Sequence, residues 1–203
     1  IEGFIYPKVD ISICINCHLC ESVCPTINML KPNSFEVINY IARTKNFNVL
    51  SKSTSGGIFT PLMEWALDNG GIIYGVIRDG SNCVKHVRIS RKDDINISKI
   101  PGSKYVRSDI KGILCSVKND LEANKIVLFS GTPCQVAGLK KFLQKDYEKL
   151  YLVDVICRGN PSPLFWGKYI NHLEKKYKSK ANEISWRSKQ YGYHHSSIHI
   201  EFN

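Results

Sequence analysis

Four of the eight cysteines in this 203-residue chain fall within one short stretch. Cys14, Cys17, Cys20 and Cys24, followed by Pro25, spell C-x2-C-x2-C-x3-C-P. Thiolates are soft donors suited to iron–sulfur clusters. Two-residue gaps wrap three of them around a single cube, while the proline turns the fourth away. Rival chemistries need other patterns: structural zinc sites pair two C-x2-C knuckles separated by a dozen or more residues, and a disulfide framework needs an oxidising compartment. The run therefore predicts a 4Fe-4S cluster and one-electron chemistry.

Where two ferredoxin-type runs are present, the fourth cysteine of each ligates the other cluster. A single run occurs here, so Cys24 is assigned either to its own cluster or to one completed by a further run. The chain opens Ile1-Glu2-Gly3 without Met and stops inside an alternating segment at Asn203. That pattern predicts a fragment, truncated at both ends.

With 43% apolar and 23% charged residues, the chain has the composition for a small module plus one larger core. No apolar run approaches the ~20 residues needed to cross a bilayer. Eight cysteines without a secretory signal point to a reducing cytoplasmic setting, where thiols bind metal or do redox work. The formal charge of +10 raises nucleic acid as a partner. Its carriers, Lys140, Lys141, Lys145 and Lys149, then Lys175, Lys176, Lys178 and Lys180, lack interleaved aromatics and any nucleic-acid motif. A solvated face, and no nucleic-acid partner, is the expectation.

The elements that must position the chemistry follow from periodicity. A helix is predicted from Gly57 to Asp68, with Ile58, Leu62, Trp65 and Ala66 at helical spacing and Ser55 as N-cap, or from Thr60 if Pro61 sets its start. Ile72 to Arg78 and Cys83 to Ile89 read as a hairpin turning at Asp79-Gly80-Ser81-Asn82. A helix over Asp109 to Glu122 follows. Ile126 to Ser130 is a short apolar strand, Val136 to Gln144 a helix, Leu150 to Ile156 a second apolar strand and Pro163 to Tyr177 a helix. That order implies a right-handed crossover and parallel strands buried on both faces. Glu183 to Arg187 and Ser196 to Phe202 read as strands, the latter with Ile198, Ile200 and Phe202 on one face. His194, His195 and His199 lack the helical context of a zinc site and read as a surface strand. Cys83 and Cys115 read as core.

Gly131-Thr132-Pro133-Cys134 follows the first apolar strand and Cys157-Arg158-Gly159 the second, so both cysteines should lie at the carboxyl edge, where open parallel sheets bind ligands. Thr132 suits an N-cap and Pro133 the first helical position, which places Cys134 at a positive helix end that favours thiolate. The pair is open to three readings: buried apolar cysteines, a redox dithiol, or half of a second metal site. Ser55-Gly56-Gly57 opens a predicted helix where backbone N–H groups can hold a phosphate. Neither a Rossmann nor a P-loop signature is present. Gly102-Ser103-Lys104-Tyr105 offers a turn, a cation and an aromatic ring.

Taken together, five ordered segments resemble the beta-subunit family of coenzyme F420 hydrogenases and dehydrogenases, over nearly the whole chain. They are Gly3-Phe4-Ile5-Tyr6-Pro7, Ser55 through Thr60, Gly102 through Tyr105, Gly131-Thr132-Pro133-Cys134-Gln135, and Cys157 with Pro161-Ser162-Pro163. Members pair a flavin with iron–sulfur clusters. The resemblance implies FAD contacts for Ser55, Gly56, Gly57, Thr60, Lys104 and Tyr105, a cofactor contact for Thr132, and metal ligation by Cys134 and Cys157. It implies a downstream C-x2-C pair beyond Asn203, and in two-run relatives an earlier run before Gly3. Asn16 and His18 stand where relatives often carry glycine.

The expected fold is mixed α/β, a small ferredoxin-like cluster module followed by a sheet domain with parallel strand-helix-strand crossovers. The module spans 1–33, a connector 34–51 and a flavin-binding oxidoreductase domain 52–203. The expected function is an iron–sulfur flavoprotein oxidoreductase subunit that relays electrons between clusters, flavin and a deazaflavin (coenzyme F420) or similar carrier. Its partners would be a redox protein or the subunits of an oxidoreductase complex, and no catalytic side chain is assigned. Two rivals stand beside it: a non-enzymatic electron-transfer adaptor without flavin, and a protein with a redox-active Cys134/Cys157 pair.

Overall fold

The computed structural model describes residues 2–28, 37–80, 83–192, 194–195 and 197–203. The expected module boundary at residue 33, the hairpin positions Ser81 and Asn82, and the expected strand start at Ser196 lie outside these. Four strands, β1 (Ile72–Asp79), β2 (Cys83–Ile89), β3 (Val127–Gly131) and β4 (Leu150–Asp154), form one mixed sheet in the order β2-β1-β3-β4. β1 and β2 make the expected antiparallel hairpin, and β3 runs parallel to both β1 and β4.

Among the described residues six α-helices accompany them: α1 (Leu19–Ser22), α2 (Phe47–Lys52), α3 (Phe59–Asp68), α4 (Ile113–Glu122), α5 (Pro133–Leu143) and α6 (Pro163–Tyr177). The two-residue period of a strand sends alternate side chains to opposite faces. Ile72, Tyr74, Val127 and Phe129 thus meet Val117 and Leu121 of α4 and Val136, Leu139 and Leu143 of α5. On the other face Ile73, Ile77 and Leu128 meet Met63 and Ala66 of α3. The result is a three-layer α/β/α arrangement, in which each fully buried aliphatic side chain contributes about 2 kcal/mol. A third core joins Trp166 and Ile170 of α6 to Ala181, Ile184 and Trp186 of β5 (Ala181–Ser188), which pairs antiparallel with β6 (Ser197–Phe202).

Several expectations are corrected. The helix expected from Gly57 begins at Phe59, with Ile58 rather than Ser55 at the N-cap. Its buried stripe is Met63 and Ala66 flanked by Phe59, Leu62 and Leu67, while Trp65 is part exposed and packs its edge against Tyr151. The helix expected from Asp109 starts at Ile113, because Asp109 continues as an extended partner of β2. β4 is not buried on both faces: it is an edge strand of the sheet, and Tyr151 is exposed. Cys83 and Cys115 are exposed rather than core. Cys83 opens the outer strand β2, and α4 turns Val117 and Leu121 inward instead. Ile200 and Phe202 reach the third core, but Ile198 is exposed. No described residue before Ser53 is buried, so the cysteine run has no core of its own.

Candidate functional site

The cysteine run is shaped by two left-handed residues. Asn16 and His18 both have φ of 56°, so the chain bends sharply on either side of Cys17. Asparagine and histidine are among the non-glycine residues enriched in this region. His18 caps the one-turn α1, which carries Cys20, and its Nδ1 lies 2.9 Å from Glu21 Oε2. Cys14, Cys17 and Cys20 are exposed and Cys24 is half-buried. The backbone N–H groups of Ile27 and then Thr26 point at the Cys24 sulfur and hold its thiol below the usual range. Four soft donors on one tightly bent loop fit the chemistry of an iron–sulfur cluster. Their sulfurs are not drawn together: among the described residues no three His, Cys, Asp or Glu side chains converge as a metal site. That holds equally for His194, His195 and His199, the last lying 3.3 Å from Glu201.

At the sheet's carboxyl edge, β3 and β4 are adjacent and parallel, and their ends, Gly131 and Asp154, are in register. Cys134 and Cys157 follow these two ends and both are exposed, so the expected shared edge is present. Thr132 and Pro133 start α5 as the N-cap and first helical residue. Gln135 folds back so that its Oε1 accepts the Thr132 N–H at 3.0 Å, the return arm of a capping box. Gly131 permits that approach, since a Cβ there would stand 3.1 Å from Gln135 Oε1. The Cys157 sulfur accepts from the Gly159 N–H at 3.4 Å and is approached by Asn160 Nδ2 at 3.9 Å.

The two segments expected at a flavin are also joined. Thr54 Oγ1 accepts from the Ser103 N–H at 2.9 Å and lies 3.1 Å from Ser103 Oγ, which ties the loop containing Ser55, Gly56 and Gly57 to the turn carrying Lys104 and Tyr105. Lys104 folds under its own turn and donates to the carbonyls of Ile100, Pro101 and Gly102. Desolvation there pulls its ammonium down to about 8. Among the described residues no carboxylate pairs with it, so the turn holds a partly buried cation suited to an anionic group such as a diphosphate. Tyr105 is exposed, and Thr60 is half-buried in the first turn of α3. The glycines have another explanation. A Cβ on Gly56 would overlap the Ala42 carbonyl, and one on Gly57, at φ +69°, would meet Thr44 Cγ2 at 2.9 Å. Segment 42–44 fills the space they leave, through a Thr44 N–H bond of 2.7 Å to the Gly56 carbonyl.

Sequence reasoning missed His86, which is 4% exposed. Its Nε2 lies 3.0 Å from the Ser130 carbonyl and its Nδ1 3.1 Å from Ser108 Oγ. Burial holds its imidazole below the ordinary histidine value. Its place on the face of β2 shared with Val84 was the available signal, but a lone histidine in an alternating strand reads as ordinary. Thr54 and Arg107 were missed too, the latter donating to the Ile5 carbonyl at 3.2 Å.

Residues 124–202 match the family model for the C terminus of the coenzyme F420 hydrogenase/dehydrogenase beta subunit. A solved chain of the F420-reducing NiFe hydrogenase complex from Methanosarcina barkeri shares the fold, with a TM-score of 0.51 and 21% identity over 79% of this chain. This chain spans 60% of that one. No curated protein matches the chain. The family model covers the stretch from β3 to β6, and the solved chain shares the fold. No helix among the described residues is long and apolar enough to cross a membrane.

Proposed function

We propose that this chain is the iron–sulfur flavoprotein part of a cytoplasmic oxidoreductase complex, passing electrons between clusters and a deazaflavin or similar two-electron carrier. One observation carries the reading: Cys134 and Cys157 follow adjacent parallel strands onto one sheet edge, inside the stretch that matches the beta-subunit family. Cys14, Cys17 and Cys20, with Cys24, would hold a 4Fe-4S cluster in module 1–33, which a connector over 34–51 joins to the domain 52–203. Cys134 and Cys157 would supply two ligands of a second. Lys104, with Tyr105, Thr60 and Ser55, would face FAD, the ammonium exchanging its carbonyl partners for a diphosphate oxygen. A bound flavin supplies the conversion between one-electron and two-electron transfer. The protein's own part is to fix these groups in position and to exclude water from Lys104.

Anaerobic reconstitution of the intact chain should give about four irons and four sulfides per site, and Cys17→Ser should abolish the first cluster. Lys104→Met should weaken flavin retention without unfolding the chain. Stoichiometric zinc with no cluster absorption would reject the proposal.

A second reading, an electron-transfer adaptor without flavin, draws support from the filling of the Gly56 and Gly57 space by residues 42–44. The flavin absorption of the purified chain separates the two. A side chain at Gly57 would strike Thr44 and Ser53, so Lys104 is the residue that tests flavin placement.

A further inference from the structure

A continuous run of hydrogen bonds leads from the buried His86 to the exposed Cys134. The Ser130 carbonyl can only accept, so His86 Nε2 carries the proton and Nδ1 is the acceptor. Ser108 therefore donates its hydroxyl to Nδ1 and keeps a lone pair for Gln135 Nε2, which donates at 2.8 Å. The Gln135 amide is now fixed with Oε1 toward Thr132, and the Thr132 N–H demands that same orientation from the other end. One freedom remains. The Thr132 hydroxyl has two partners at the same distance, Gln135 Oε1 at 3.1 Å and Cys134 Sγ at 3.1 Å.

Sequence explains why the run forms. Extended pairing of Asp109 with β2 brings Ser108 beside His86, through N–H···O bonds of 2.9 Å from His86 and 2.8 Å to Val84. His86 stacks on Phe129 of β3, with centroids 5.3 Å apart and planes 8° from parallel. Pro133 then starts α5 and places Gln135 at its third position.

We propose that His86, Ser108 and Gln135 are positioning residues that hold the Thr132 hydroxyl as a two-position donor to the sulfur of Cys134. A protonated Cys134 thiol donates to Thr132 Oγ1, and the Thr132 proton rests on Gln135. A metal-bound sulfur can only accept, so the hydroxyl turns onto it while Gln135 keeps its bond to the Thr132 N–H. Hydrogen bonds to ligand sulfurs raise a cluster's potential. The inference deepens the proposed function and rests on Cys134 being a cluster ligand.

The test is an EPR-monitored redox titration of the reconstituted full chain, following the signal lost in Cys134→Ser. Thr132→Val should shift its midpoint to a more negative value, and Thr132→Ser should restore it. His86→Leu should shift it the opposite way, because Ser108 then loses its acceptor, the Gln135 amide flips to take the Ser108 proton on Oε1, and the Thr132 hydroxyl is left with the sulfur as its acceptor. His86→Gln, which can donate and accept at the same places, should stay near the parent. Equal midpoints in the parent, Thr132→Val and Thr132→Ser overturn the inference. If Cys134→Ser removes no signal, the ligand reading has failed, and the hydrogen bond is then read in the metal-free chain by infrared spectroscopy. There the S–H band of Cys134, identified by its loss in Cys134→Ser, should move to higher wavenumber in Thr132→Val but not in Thr132→Ser. An unmoved band overturns the inference by itself.

Discussion

Lys104 is the residue whose charge works against the fold. Desolvation lowers its pKa from 10.5 to about 8, so between those values the unfolded chain binds a proton that the folded chain does not. Stability must then rise with pH across that window, by an amount on the order of 3 kcal/mol. Lys104→Met should flatten this rise and increase the melting temperature at pH 7, measured by thermal denaturation across pH 7 to 10.5. An anion bound at the turn would cancel this rise by restoring the proton. Asn16 and His18 pose a backbone question instead. At φ of 56° a glycine is unstrained, whereas a β-branched residue is a steric outlier. His18→Gly should assemble a cluster with the parent's iron content, and His18→Val should lose most of it. The left-handed geometry was not legible in the sequence, because asparagine and histidine also occupy ordinary turns.

Elements that carry their own punctuation were the legible ones. Ser162 and Pro163 mark the start of α6, and the Ser162 hydroxyl does accept the Phe165 N–H at 3.1 Å. Thr132 and Pro133 mark α5 in the same way. The parallel pairing of β3 and β4 followed from the helix between them. The start of α3 was misread because Ser55 and the glycines looked like a cap, when their role is to admit segment 42–44, a contact remote in sequence. The exposure of Cys115 escaped for a related reason: periodicity gives a helix face but not which neighbour covers it. At the carboxyl edge, the close approach of Gln135 to Gly131 yields a direct check. Gly131→Ala should push Gln135 off the Thr132 N–H and cost about 1 kcal/mol, the usual worth of a helix cap. Urea unfolding measures it, and Ser162→Ala should cost a similar amount at α6.

At the scale of the whole molecule, the cysteine run borrows its position from the sheet domain. No described residue before Ser53 is buried, so nothing within the run can fix it by packing. Two contacts do so from outside. Gly3, at φ +84°, lies directly on the first turn of α6, where an added Cβ would overlap Leu164 and stand 2.9 Å from Ser162 Oγ. Arg107 holds the Ile5 carbonyl from the segment between the Lys104 turn and Ser108. The residues that lead into the run are thereby tied to the first turn of α6 and to the segment that carries Ser108. Gly3→Ala must therefore lift residues 3–7 off α6 while leaving the cores around β1, β3 and α6 intact. Hydrogen exchange over residues 2–28 and limited proteolysis should both quicken, with the main thermal transition moving by less than about 1 kcal/mol in stability. The cluster proposed for the run should still assemble in this variant, because its ligands are local. Electron arrival at the acceptor should slow, and a rate equal to the parent's, despite a released run, would show that the anchoring contacts have no part in transfer.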